Sequence, residues 1–134
     1  MINNLLTPAP DFSEPLELLH ACHGRIEQQC ATLLKLPDHL ARYGSDTQAQ
    51  QAAERITRYF SIAGHHHHED EEQDLFPVLC QAAANDGETR IPSLLDKLVA
   101  QHAEMFQAWE LLQVGLGKIR RGEMAADLSV THFV

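Results

Sequence analysis

Three histidines of this sequence stand at interior positions of three separate amphipathic stretches. His23 occupies a place in a series of apolar residues, spaced three and four apart, where another aliphatic side chain would be expected. His67 and His102 interrupt two later series in the same way, and Glu71 follows His67 by one helical turn, so that both share a face. All four side chains can donate a lone pair to a metal ion.

An apolar interior disfavours such groups unless a partner satisfies them. Each unpaired polar group costs about 1–3 kcal/mol, and a cation coordinated by several of them offsets that loss. One interior histidine alone is more often a hydrogen-bonded core residue, but three interrupted faces together favour a metal site. Nitrogen and oxygen donors without thiolate suit iron, manganese or zinc. Iron with an open position could also bind O₂ or NO.

The run of four histidines from 65 to 68 cannot serve one site, because successive helical residues point in different directions. We expect His65 and His66 to face solvent or to form a secondary patch that catches metal. Glu72 or His68 could orient a ligand from behind.

Three helical segments must position these residues. The first begins at Ser13, its expected N-cap, and runs to about Arg42, with Gly44 as its stop. The second and third span about 46–84 and 92–120, separated by a turn at Asn85, Asp86 and Gly87. Kinks are expected at Pro37, where the helix could instead restart, and at Gly64 or Pro77. The interior faces are predicted to be Leu16, Leu19, His23, Ile26, Cys30 and Leu33; Ile56, Phe60, Ala63, His67, Glu71, Leu75 and Val78; and Leu95, Leu98, His102, Met105, Trp109, Leu112 and Leu116.

These segments predict an all-α fold, an up-down antiparallel helical bundle whose fourth helix is truncated. A chain of 134 residues is long enough for one core. We expect an irregular arm over 1–12 and a bundle over 13–134, in which 124–134 opens a fourth helix that stops almost at once. Antiparallel packing would bring the four candidate ligands together. The incomplete bundle would expose apolar surface, so we expect a homodimer.

Charge and composition exclude several classes of protein. The net charge of −9 and the scattered lysines and arginines argue against nucleic acid or an anionic membrane as a partner. No apolar run reaches the roughly 20 residues of a membrane span, and the N-terminus lacks the features of a secretory signal. The sequence predicts a cytoplasmic protein with a neutral or cationic small partner.

The stretch from His67 to Pro77 resembles the hemerythrin-like HHE cation-binding family. The second helix of that family carries the motif H-H-x-x-E-E-x-x-L-F-P, and the sequence here reads HHEDEEQDLFP, with every fixed position matched. The histidine of the family's first helix, followed three residues later by an aliphatic residue, matches His23 with Ile26, and His20 is the alternative. The histidine of the third helix matches His102.

The resemblance covers about residues 15–109 and implies a four-helix bundle around non-haem iron. A di-iron site is the first expectation, and mononuclear iron or zinc are alternatives. The ligands carried over are His23, His67, Glu71 and His102. The family completes its site with a His-x-x-x-Glu or similar pair from a fourth helix, which is absent here, and His132 lies close to the chain's end. The chain is then a fragment, or a partner supplies the helix, or the site holds one metal.

Three functions follow from these expectations. The first is a binding protein that carries or senses O₂ or NO, or handles iron, without turnover. The second is a di-iron enzyme, an oxidase or an iron-centre repair activity, which would be expected to have more carboxylate ligands than Glu71. The third is a metal-free helical interaction module whose histidines catch nickel or zinc adventitiously.

Overall fold

The computed structural model describes residues 13–125, 128, 130 and 133 of the chain. All regular secondary structure in this part is helical, which confirms the predicted fold class. The helices are α1 (Pro15–Tyr43), α2 (Thr47–Tyr59), α3 (His65–Glu69), α4 (Phe76–Asn85) and α5 (Arg90–Arg120). Two π-helical turns, Phe60–Gly64 and Asp70–Leu75, join α2, α3 and α4 into one continuous helical run. Among the described helices, none combines the length and the apolar character that a membrane-spanning segment requires.

The first helix ends where the sequence predicts but starts slightly later. Glu14, not Ser13, is the residue before α1, and its side chain makes no capping hydrogen bond. Gly44 ends the helix with φ +67°, a conformation that glycine adopts without strain. The helix passes through Pro37 as one element, so the chain does not restart there.

The second π turn changes which side chains face the interior. A π turn closes its hydrogen bonds over five residues instead of four and therefore holds more residues per turn. Regular α-helix beyond Glu71 would bring Val78 inward, but Val78 is 64% exposed, whereas Phe76 is buried. The predicted interior position of Val78 is therefore wrong. The predicted interior position of Ala63 is wrong as well, because Ala63 is exposed and its neighbour Gly64 is buried instead.

The core lies between α1, α2 and α5. Helix α2 packs against both of the others, and α4 packs against α5. The predicted interior face of α5 is confirmed, since each member from Leu95 to Leu116 is buried or half-buried, although the helix starts at Arg90, before the expected Pro92. The buried residues of α1 all lie in its C-terminal half, so the predicted interior position of Leu16 is wrong, and its side chain is exposed.

The described residues after α5 are not helical, so they do not open a fourth helix as expected. Val130 and Phe133 are nevertheless buried and belong to the core. The ring of Phe133 packs against Phe60 and Trp109, with centroid distances of 4.9 and 5.4 Å. The predicted arm over 1–12 and His132 lie outside the described residues.

A pair of leucines on α5 tests this packing. Leu116 is fully buried, so Leu116→Ala is expected to lower the free energy of unfolding by about 2–5 kcal/mol through lost contacts and a cavity. Leu111 is 79% exposed, and Leu111→Ala should change stability by only about 0.5 kcal/mol or less. Urea unfolding followed by circular dichroism measures both. Equal losses in the two variants would contradict the orientation of α5.

Candidate metal centre

The four predicted ligands come from three helical runs and meet around one carboxylate. Glu71 Oε1 lies 2.9 Å from His23 Nε2 on α1 and 2.8 Å from His67 Nε2 on α3. Glu71 Oε2 lies 3.3 Å from His102 Nε2 on α5. The structure thus brings all four side chains together, with Glu71 in the centre.

Three of these four residues form the tightest group. His23, His67 and Glu71 each offer one ligand atom, and these atoms all lie within 4.8 Å of one another. The rings of His23 and His67 meet edge to face, with their centroids 4.6 Å apart. His102 lies against the other oxygen atom of the Glu71 carboxylate. The three imidazoles therefore surround Glu71.

Burial supports a cation at this position. His67 and Glu71 are the buried polar residues of the described chain, with 3% and 8% of their surfaces exposed. The Nδ1 atom of His67 has no hydrogen-bond partner within the described residues. An apolar interior disfavours a buried carboxylate, and a bound cation would stabilise the one that these three imidazoles share. The donor set therefore fits a metal ion. The predicted interior position of His23 is wrong, because its side chain is 53% exposed and lies at the edge of the site.

The electrostatic environment keeps the carboxylate ionised. Burial raises the pKa of Glu71, but the hydrogen bond and charge of His67, the hydrogen bond of His23 and the charge of His102 together lower it to about 2. Glu71 is then a carboxylate at neutral pH and needs to lose no proton before it binds a cation. For His68, burial first and the charges of His102 and His67 next lower the pKa to about 4, so this imidazole is neutral.

The remaining histidines of the run separate into two groups. His65 and His66 have side chains that are 52% and 68% exposed, as expected, and both face Glu69, at 3.3 and 3.4 Å. His68 instead stacks on His102, with the ring centroids 4.0 Å apart. Glu72 also contacts His102, so both residues that the sequence offers as orienting groups lie beside the same candidate ligand. His20, the alternative to His23, is exposed.

A cavity of about 530 Å³ adjoins the four residues. Its wall includes the apolar side chains of Ile26, Phe60, Leu98, Met105, Trp109 and Phe133. Met105 and Trp109 lie on a predicted interior face, but Phe133, which follows α5 by more than ten residues, was not predicted to be near the site. Phe76, whose ring lies nearly parallel to that of His102 with the centroids 6.1 Å apart, was not predicted either. The sequence signal for Phe76 was the phenylalanine that the family motif H-H-x-x-E-E-x-x-L-F-P fixes at this position.

Comparison with known proteins agrees with this fold. The chain belongs to the hemerythrin HHE cation-binding domain family, whose model matches residues 14–132. It is 34% identical over 108 residues to a Haemophilus influenzae protein described as uncharacterized. That match covers 81% of this chain, which spans only 60% of the length of its relative. No solved structure matches the chain significantly. The resemblance seen in the motif is thereby confirmed over nearly the whole chain.

Proposed function

We propose that this protein binds non-haem iron through His23, His67, Glu71 and His102 and uses it to bind O₂ or NO reversibly, as a carrier or sensor. The observation that carries the proposal is the single buried carboxylate in contact with imidazoles from three helical runs. Handling of iron itself would use the same residues. Location in the cytoplasm and formation of a homodimer stay predictions from the sequence.

The division of contacts around Glu71 supports two irons. Oε1 faces His23 and His67, whereas Oε2 faces His102. Glutamate and histidine hold two metal ions in other bundle-core sites, and here Glu71 with His23, His67 and His102 would hold them. One iron or one zinc ion could use the same donors, because these ligand types do not select a metal by themselves.

The chain's own residues prepare the site for a small ligand. Iron, when bound, supplies an open coordination position and the electrons that reversible O₂ or NO binding requires. The adjoining cavity gives such a molecule room beside the proposed ligands, against walls that combine apolar side chains with the polar ones of Ser61, Gln101 and Gln113. His23, at the exposed edge, leaves the centre in contact with solvent.

A di-iron enzyme is the second candidate, and the size of the cavity favours it. A volume of about 530 Å³ is far more than a diatomic molecule needs, since a water molecule takes up about 30 Å³ in the liquid. It falls within the range of roughly 300–1,000 Å³ found for organic ligands. Against this candidate, Glu71 is the one carboxylate among the four proposed ligands.

Gas binding by reconstituted protein distinguishes these functions. The chain is purified without an immobilised-metal column, loaded with ferrous iron without air, and exposed to O₂ or NO. We expect a stoichiometric change in the visible spectrum that reverses when the gas is removed. Sustained O₂ consumption that depends on an added organic substrate would favour the enzyme. Failure of the wild-type chain to retain iron, or iron lost only in His65→Ala and His66→Ala, would favour the interaction module.

A further inference from the structure

Three neighbouring groups hold the ring of His102 in place. Its Nδ1 atom lies 2.7 Å from Glu72 Oε1, closer than the 3.3 Å that separates its Nε2 atom from Glu71 Oε2. The ring of His68 stacks on it at a centroid distance of 4.0 Å and an angle of 15°, and the ring of Phe76 is inclined to it by 17°. The other nitrogen, Nε2, is left facing Glu71. His102 therefore has one edge toward the centre and one toward Glu72.

This arrangement determines which nitrogen can bind a cation. A neutral imidazole carries its proton on one nitrogen and offers a lone pair on the other, and the group that accepts the proton's hydrogen bond selects between the two forms. With Nδ1–H donating to Glu72, the lone pair lies on Nε2. Nε2 is the atom that faces Glu71, the carboxylate that His23 and His67 also contact.

We propose that Glu72 is a positioning residue of the metal centre, which fixes the orientation and proton position of His102 so that Nε2 is presented to the cation. This inference rests on the proposed function, in which His102 is a ligand. The backbone makes it possible, because Glu71 and Glu72 are adjacent in the second π turn and reach the two nitrogens of the same ring.

Glu72 differs in this respect from the other acid near the histidine run. Glu69 is of comparable exposure, with 42% of its side chain exposed against 35% for Glu72, but it faces the outer histidines His65 and His66. Substitution of Glu69 therefore removes a similar charge from the same helical run without touching His102. It provides a matched control for changes at Glu72.

Cobalt binding to the full chain measures the contribution of Glu72. Wild-type protein, Glu72→Ala, Glu72→Gln and Glu69→Ala are titrated with Co²⁺ and followed by its visible absorption. We expect Glu72→Ala to weaken Co²⁺ binding about 10–100-fold, the usual effect of losing the partner of a ligating histidine. Glu72→Gln keeps an oxygen that accepts the Nδ1–H bond and should recover most of the affinity. Glu69→Ala should bind as the wild type does.

Nuclear magnetic resonance of the ¹⁵N-histidine-labelled protein loaded with Zn²⁺ tests the proton position directly. We expect His102 to carry its proton on Nδ1 in the wild type and in Glu72→Gln, and this proton signal to be lost by solvent exchange in Glu72→Ala. A proton on Nε2 of His102 would overturn the inference, as would unweakened Co²⁺ binding by Glu72→Ala. Equal weakening in Glu72→Gln and Glu72→Ala would make Glu72 a direct ligand instead. Wild-type protein that binds neither ion would refute the proposed function itself, and the inference with it.

Discussion

Glu71→Ala protein is expected to lose iron affinity by roughly 100-fold or more while keeping its helices, because the change removes the one group that contacts all three candidate imidazoles. Loss of a residue that only hydrogen-bonds a metal ligand weakens metal binding by about 10–100-fold. Loss of a ligand that is shared by the whole site should weaken it more. Metal content per chain after reconstitution and dialysis, together with titration by ferrous iron, gives the size of the effect. Circular dichroism shows whether the helices remain.

Two further variants separate charge from shape at this position. Glu71→Gln keeps the size of the side chain but removes the negative charge, and we expect it to bind iron nearly as poorly as the alanine variant. Glu69→Ala removes a carboxylate that faces exposed histidines and should leave iron binding unchanged. Iron bound by Glu71→Ala with wild-type stoichiometry and affinity would contradict the proposed centre.

The second large effect is stabilisation of the folded chain by its metal. The candidate donors come from α1, the second helical run and α5, and only the folded chain holds them together. A cation that binds only the folded form adds about 2.7 kcal/mol to the free energy of unfolding when its free concentration is roughly 100 times the Kd. Urea unfolding with and without Co²⁺ measures this gain, and a chelator should reverse it.

Histidine variants assign the stabilisation to a site. We expect His67→Ala and His102→Ala to lose most of the gain, whereas the double variant His65→Ala, His66→Ala should keep it, because the latter pair faces solvent. The opposite pattern, with the gain lost only in the double variant, would show that a surface patch binds the ion. All variants are compared first without metal, so that a change in intrinsic stability is not mistaken for a change in binding.

The helical runs could be predicted from the sequence because their signals are local. The spacing of apolar residues and the glycines after α1 and α4 each act within a few residues of the chain. The π turns could not be predicted in this way. A regular period of 3.6 residues predicts Val78 in the interior, but the π turn places Phe76 there instead.

The meeting of the four site residues was also predictable, since three interior faces that each contain a histidine must pack against one another. The distribution of contacts around these residues could not be predicted. Whether Glu72 or His68 orients a ligand depends on side-chain conformations and on neighbours distant in sequence, and the structure places both against His102. The exposure of His23 has a similar origin, because helical period alone does not show which half of α1 is covered.

The π turn between Glu71 and Phe76 makes the site sensitive to the number of residues in this segment as well as to their types. These two side chains are five positions apart, yet both point inward, one to the candidate ligands and the other to the ring of His102. An ordinary α-helix rotates by about 100° per residue, so a relative one residue shorter across this stretch could relax to regular pitch. In an alignment of this family, a single-residue gap here should therefore be treated as loss of the π turn, which keeps the positions of Glu71 and Phe76 on one face but shifts or removes a residue between them, Glu72 included.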